Sequence, residues 1–375
     1  MKKGTPPIER VREHSRSLVY SCLLERRGER LSRNDISQAT GLSNPTVSTV
    51  LQEFLALSLV DEMGHSAARG GRPAQLVSLN PRASCVMAVD LADDGARALL
   101  VDLTGAVLER ETGPKFGQGD TDDLFGWLSM LYSRWTAGSR IGRLAVALPG
   151  VVEHSSGTVH LAPALGWNNF PLAERLEQKL GLPVTLENDV NALAMGELRF
   201  GGFEPFENAL FLSVTRGVGM GLVLDGRVFR GSHFAAGEVG YSRLPGITGA
   251  AEPVLGESGP LESHLLSLSG SFLEQDRLDL GRPGAEEAFG AFADHLATIV
   301  QNAVCLLNPD RLAVAWPADR EERLLQALRS RLSPPMPLQI SATRLGRDAS
   351  GLGVAAIALD ELAEVFCSLS EEGAL

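Results

Sequence analysis

Asn188 and Asp189 stand side by side in Leu186-Glu187-Asn188-Asp189-Val190-Asn191, where an apolar strand pattern from Leu182 to Leu186 gives way to a helical one. An amide and a carboxylate at a strand end can hold a polyol, because strand ends opening onto a crevice are where α/β proteins bind ligands. With a phosphoryl donor in line, Asp189 could also take the proton from a bound hydroxyl. The same two residue types suit an Asx helix cap equally well. Residue chemistry alone therefore leaves a sugar kinase, a sugar sensor and a plain cap open.

The elements that must position this pair come from a chain of 375 residues, long enough for two or three compact units, with 44% hydrophobic residues to build their cores. From Ser84 the pattern is strand-rich: Ser84 to Leu91, Arg97 to Leu103, a Thr104-Gly105 turn, and Ala106 to Arg110. A second such start runs from Asn208 to Val214, Gly221 to Leu224, an Asp225-Gly226 turn, and Arg227 to Arg230. Two meander starts separated by helical segments predict a duplicated α/β unit with a cleft between its halves.

The front end reads differently. Residues 1–80 carry 11 Lys or Arg against 8 Asp or Glu, whereas the remainder carries 23 against 38, within a net charge of −12. Only the front end suits a polyanion. A first helical pattern runs from about Ile8 to Arg26, with Val11, Leu18, Val19, Cys22 and Leu23 on one side. Ser32 and Asp35 have capping-box spacing before a short second helix through Ile36 and Ala39, which Gly41 ends. Ser43-Asn44-Pro45 then opens a third, with Val47, Val50, Leu51 and Phe54 at core spacing. Its other face, Asn44, Thr46, Ser48, Thr49 and Gln52 beside the Ser43 cap, is small and polar, as a major-groove reader needs. The basic, glycine-rich run Ser66 to Pro73 lies between two strand patterns, Leu59 to Glu62 and Gln75 to Leu79, and Arg69 and Arg72 within it can grip phosphates or a minor groove. A solvated helix face and a flexible linker are the bland alternatives.

Cys22, Cys85, Cys305 and Cys367 are scattered, with no Cys-x-x-Cys pair, so neither a disulfide framework nor a clustered zinc site is expected. With no basic apolar presequence and no uninterrupted apolar run of spanning length, a cytoplasmic protein without membrane contact is expected.

The chain resembles the ROK family (repressors, open reading frames and kinases) over nearly its whole length. The resemblance is carried by Leu31-Ser32-Arg33 through Thr46-Val47-Ser48, Gly70-Gly71-Arg72-Pro73, Leu148-Pro149-Gly150, Glu187 to Asn191, Gly217-Val218-Gly219-Met220-Gly221 and Ala236-Gly237-Glu238-Val239-Gly240. It implies an N-terminal winged helix-turn-helix, residues 1–80, as in the repressor branch. A duplicated actin-like (ribonuclease H-like) sugar-kinase fold would follow over 81–375, one lobe being about 81–190 plus the C-terminal helix and the other 191–350. It implies that Asn188, Asp189, Glu238 and Glu262 bind sugar hydroxyls, with Asp189 matching the base of the kinases. Gly150 would approach the sugar, and Trp167-Asn168 would add stacking and a polar contact.

Departures from the family pattern are equally informative. The kinases' Asp-x-Gly-Gly-Thr phosphate loop is replaced by Asp90-Leu91-Ala92-Asp93-Asp94. A carboxylate about 4 Å from a triphosphate costs roughly 4 kcal/mol at an effective dielectric of 20. Thr215-Arg216 precedes Gly217 where Gly-Thr is usual, and Ala313 to Pro317 replaces the glycine pair that accommodates the nucleoside. ATP use is therefore not expected. The family's structural zinc ligands, a histidine and three cysteines, read Tyr241, Pro253, Leu255 and Pro260 here, while Gly256 and Gly259 keep the frame. No zinc is expected, and Tyr241 takes the place of a histidine that also touches the sugar. The expected protein is a DNA-binding regulator with a sugar effector, acting as a homodimer or dimer of dimers on operator DNA. A kinase with an accessory DNA-binding domain and a dimer with a non-sensing pocket are the alternatives.

Overall fold

The computed structural model describes residues 7–66, 73–92, 94–203, 206–215, 217–247, 259–274, 277–316 and 321–368. The N-terminal unit comprises α1 (Pro7–Glu25), β1 (Leu31–Ser32), α2 (Arg33–Thr40), α3 (Asn44–Ala56), β2 (Val60–His65) and β3 (Gln75–Leu79). Local chemistry sets its helix ends. The Ser32 main-chain N–H donates to Asp35 Oδ2 at 2.8 Å and Asp35 N–H donates to Ser32 Oγ at 3.2 Å, which completes the capping box and holds the Asp35 carboxyl below its usual range. Gly41, at φ +74°, ends α2 with its N–H on the Ser37 carbonyl. Val47, Val50, Leu51 and Phe54 of α3 are buried, as their spacing predicts.

On α1, Val19, Cys22 and Leu23 of the expected face are buried, and the face is wider than expected. Val11 is 66% exposed, Leu18 is half-buried, and Arg16 and Tyr20 go inside instead, because they meet a helix from the far end of the chain. The strand order is β1-β3-β2, all antiparallel, with Ser66 N–H on the Ala74 carbonyl at 2.8 Å at the base of the β2–β3 hairpin. Arg69 and Arg72 lie outside the described residues.

The first lobe contains β4 (Cys85–Ala92), β5 (Gly95–Asp102), β6 (Val107–Thr112), α4 (Thr121–Thr136), β7 (Ile141–Leu148), β8 (Val151–Glu153), β9 (Thr158–Ala162), β10 (Trp167–Phe170), α5 (Leu172–Leu180) and β11 (Val184–Asn188). Its main sheet runs β11-β7-β4-β5-β6, antiparallel through β4, β5 and β6 and parallel through β4, β7 and β11. A small antiparallel sheet, β10-β9-β8, flanks it. After α6 (Asp189–Phe200) come β12 (Ala209–Val214), β13 (Val218–Leu224), β14 (Arg227–Val228), α7 (Pro260–Phe272), β15 (Leu273–Glu274), β16 (Arg277–Leu278), α8 (Ala285–Leu307), β17 (Arg311–Ala315), α9 (Glu321–Arg331), β18 (Gln339–Ala342) and α10 (Ala349–Ser368). The second sheet runs β14-β13-β12-β17-β18 with the same pattern of directions. Strand for strand it repeats the first, which is the duplication the two meander starts predict.

α8 is long and apolar enough to cross a membrane by length and composition alone. It carries Asp294, and its Phe289, Phe292, Leu296 and Val300 are buried in the core of the second lobe with Leu212 and Val314 of the sheet.

α6 and α10 cross in backbone contact. A Cβ on Gly353 would lie 1.6 Å from the Ala192 carbonyl oxygen, and one on Gly196 would lie 2.2 Å from that of Ala349. Only glycine permits that spacing. α10 also packs against β4 and β7, and its Leu359, Leu362 and Cys367 share one continuous core with Val19, Tyr20, Leu23 and Phe54 of the N-terminal unit.

Candidate ligand cleft and candidate nucleic-acid face

At the junction of β11 and α6, Asn188 is a helix cap. Its Oδ1 accepts from the N–H groups of Val190 and Asn191 at 2.9 and 3.0 Å, and its Nδ2 donates to the Gly150 carbonyl at 3.0 Å. One Nδ2 hydrogen is left for a ligand. Asp189 follows in the first turn, where the helix N-terminus favours an anion. Directly behind, Glu187 is fully buried: its Oε1 accepts from Asn188 N–H and Asn191 Nδ2 at 3.0 and 3.2 Å, and its Oε2 pairs with Arg230 at 2.5 Å. This pair clamps the end of β11 to the segment after β14. The sequence reading missed it, since nothing local links positions 187 and 230.

The second lobe brings two more carboxylates to Asp189. Glu238 is pushed up to about 7, first by burial and then by the negative charges of Asp189 and Glu262. It is therefore close to half-protonated at neutral pH, able to donate as well as accept. Glu262, in the first turn of α7, accepts from Val218 N–H at 3.1 Å. Burial, followed by the charges of Glu238 and Glu262, raises the Tyr241 phenol, which places it in the same cluster. Gly150, Asn188, Asp189, Glu238, Tyr241 and Glu262 are all half-buried. The side chains of Asn188, Asp189, Glu238, Tyr241 and Glu262 thus group several hydrogen-bond acceptors with a few donors.

The expected stacking role of Trp167 is corrected, and Gly150 and Asn168 have structural surroundings of their own. Gly150 has φ +123°, and a Cβ there would sit 2.1 Å from the Leu161 carbonyl oxygen, so β9 alone demands the glycine. Trp167 offers no face to a ligand. It is 6% exposed, stacked on Phe170 at 4.9 Å, with its indole N–H on Thr121 Oγ1. Asn168 is exposed on β10 and accepts from Asn169 at 3.0 Å, in register with Leu161 rather than bonded to the carboxylates. A rim contact absent from the sequence reading lies nearby. His160 pairs with Glu153 and Asn169, both at 3.2 Å, and faces Phe234 of the other lobe with ring centres 6.5 Å apart.

The segments standing where the kinases carry phosphate loops have structural roles of their own. β4 pairs with β5 up to Ala92 opposite Gly95, so the turn has only positions 93 and 94. Asp94 pairs with Arg97, and with Arg347 at 3.3 Å. The expected uncompensated repulsion is thus corrected at Asp94, whose charge is matched; Asp93 lies outside the described residues. Gly219 and Gly221 let β13 lie against α6, where a Cβ would come within 2.8 Å of Val190 Cγ2 or 2.9 Å of the Val190 carbonyl oxygen. Arg216 and Pro317 are outside the described residues, while Trp316 is buried and stacked on Phe289 and Phe292.

Tyr241 and Pro260 supply no nitrogen or sulfur donor, so they do not fit the family zinc; Pro253, Leu255 and Gly256 lie outside the described residues. Main-chain contact ties the two segments instead. A Cβ on Gly259 would fall 2.2 Å from the Gly240 carbonyl oxygen, and this approach presses the start of α7 onto the turn Val239–Tyr241.

On α3, Ser43 Oγ accepts from Thr46 N–H at 3.3 Å and is 2.8 Å from Thr46 Oγ1, so both hydroxyls serve the cap, and Thr49 donates to the Pro45 carbonyl. Asn44, Thr49 and Gln52 are exposed and Ser48 half-exposed along one side. Arg33, exposed at the start of α2 with Nη2 at 3.4 Å from Gln75, adds a cation that the sequence reading did not single out.

Residues 86–264 match the model of the ROK family. A protein named putative xylose repressor, from Caldicellulosiruptor sp. (strain Rt8B.4), is 26% identical over 389 residues, covering 94% of this chain and 97% of that one. A ROK family transcriptional regulator described as a homolog of the E. coli MLC protein superposes with TM-score 0.75 at 22% identity, covering 96% of this chain and 99% of the other. A ROK family glucokinase from Streptomyces griseus, in complex with glucose and AMPPNP, reaches TM-score 0.60 at 22% identity, covering 73% of this chain and 98% of its own. The kinase thus shares the fold of this chain's body, while the likeness to the regulator spans both units.

Proposed function

We propose that the chain is a sugar-responsive transcriptional repressor, acting in the cytoplasm as a homodimer on operator DNA. The N-terminal unit is a winged helix-turn-helix. α3 is its reading helix: Asn44, Ser48 and Thr49 face base edges, the positive end of the helix beside the Ser43–Thr46 cap faces phosphate, and Arg69 and Arg72 contribute the wing's charge. A symmetric dimer places two such helices about 34 Å apart on a palindromic site. One observation carries the sugar half: Asp189, Glu238 and Glu262 converge beside the Asn188 cap, with Glu238 close to half-protonated. That mixture of acceptors and donors suits the hydroxyls of a neutral sugar, with Tyr241 adding a phenol. Full-length similarity to a protein named xylose repressor supports the assignment of DNA binding and sugar response to one chain.

The body binds sugar without phosphorylating it and needs neither ATP nor zinc. Supporting this, the β4–β5 turn leaves two positions where the kinases have a glycine loop. The test pairs two measurements on the purified protein. D-xylose at 100 times its dissociation constant should add about 2.7 kcal/mol of stability, and it should change the affinity for a duplex selected by the protein from a randomised pool. A ligand must favour one state to shift it, so sugar binding without any change in DNA affinity would overturn the switch. Phosphorylation of a sugar, lost in Asp189→Asn, would establish the kinase alternative.

A further inference from the structure

Arg16 of α1 is a cation only 5% exposed, and neither the ligand cleft nor the outward side of α3 uses it. Its guanidinium joins three helices. Nε donates to Glu53 Oε2 at 2.6 Å in the last turn of α3, and Nη1 donates to the Cys367 carbonyl at 3.2 Å in the last turn of α10. The last carbonyls of a helix have no partner within it and carry partial negative charge. A buried cation between that terminus and a carboxylate is matched on both sides. One turn along, Tyr20 meets Phe54 of α3 edge-on at 6.4 Å and Phe366 of α10 at 6.3 Å.

The other end of α10 is bound to the cleft. Ser350 Oγ donates to the Asp189 carbonyl at 3.0 Å, and the Gly353–Ala192 and Gly196–Ala349 approaches leave no slack between α10 and α6. Midway, Glu361 pairs with Arg143 at 2.9 Å and accepts from Thr185 Oγ1 on β11, the strand that ends in Asn188. α10 has 20 residues, a rod of about 30 Å. Close-packed elements pass on a displacement rather than absorb it.

We propose that Arg16 is the positioning residue through which α10 reports cleft occupancy to α3: a shift of α6 moves α10 along or about its axis, and the bridge from the Cys367 carbonyl through Arg16 to Glu53 turns that shift into a reorientation of α3. This rests on the sugar-responsive reading above, and it adds the route. The alternative is that Arg16 merely stabilises the N-terminal unit.

The test compares wild type, Arg16→Lys, and the double variant Arg16→Met with Glu53→Gln, which removes both buried charges together so that neither is left alone. Affinity for the selected duplex is measured with and without D-xylose, and D-xylose affinity is measured separately by calorimetry. Couplings between sites are commonly about 5- to 150-fold. The expected result is that the double variant binds D-xylose like wild type while its DNA-affinity ratio falls to within about 2-fold of unity. Arg16→Lys, which has no planar fork to reach both partners, gives an intermediate ratio. A double variant that melts earlier but keeps the wild-type ratio overturns the role of Arg16 and leaves the sugar-responsive reading intact. A wild type with no response to D-xylose or to any other sugar tested overturns both.

Discussion

Replacing Arg230 by Met isolates what the buried carboxylate behind the cleft is worth. Glu187 has no exposed surface and holds three partners, Arg230, Asn188 N–H and Asn191 Nδ2. Methionine keeps much of the arginine's aliphatic bulk but removes the charge. Leaving one member of a buried pair alone typically costs about 3–5 kcal/mol. Arg230 keeps a quarter of its side chain exposed, so water can partly replace it, and the lower end, about 3 kcal/mol, is expected. For a unit of 150–250 residues each kcal/mol moves the midpoint by roughly 2–4 °C, so Arg230→Met should melt at least about 6 °C below wild type in calorimetry. Adding Glu187→Gln should recover more than half of that loss, because a neutral amide can still accept from Asn188 and Asn191 at a far smaller desolvation cost. Equal melting of the single and double variants would refute the electrostatic account, and a loss under about 1 kcal/mol for Arg230→Met would refute the importance of the clamp.

Three further outcomes are expected. Gly353→Leu puts a side chain into the Ala192 carbonyl, 1.6 Å from where its Cβ would stand, and should cost at least the 1–3 kcal/mol typical of overpacking, read by thermal unfolding. Glu238 is raised from 4.5 to about 7, so between those values the folded state holds a proton that the unfolded chain has released. Stability should therefore fall by on the order of 3 kcal/mol as pH rises through that window; Glu238→Gln should flatten that slope and melt higher than wild type at pH 8. Asp189→Asn keeps the size and loses charge-assisted acceptance, worth about 1.5–3 kcal/mol per hydrogen bond, so calorimetry should show D-xylose binding weakened about 10- to 100-fold.

What could be foreseen from the sequence was local. The Ser32–Asp35 capping box, the Ser43 cap and the buried face of α3 depend on neighbours within four residues, and all three form. The doubled meander was visible because alternation and turn residues recur in both halves. The α1 face was legible in Val19, Cys22 and Leu23 but not in Arg16, which turns inward toward Cys367, 351 residues away. The glycines were recognisable as a pattern without their cause: Gly150 yields to β9, and Gly219 and Gly221 to α6. Asn188 was ambiguous because capping and hydroxyl binding use the same atoms, and only the Gly150 carbonyl beside it shows how few remain. The compensation of Asp94 begins with Arg97, three residues on, and only its second partner, Arg347, comes from a segment reached after both lobes are built.

The approach of Gly259 to the Gly240 carbonyl reaches beyond packing. A joint made from main chain depends on backbone approach rather than on the side chains around it. Any side chain at position 259 would push the start of α7 off the turn that presents Glu238 and Tyr241, so the spacing of that turn from Glu262 is written into the main chain itself.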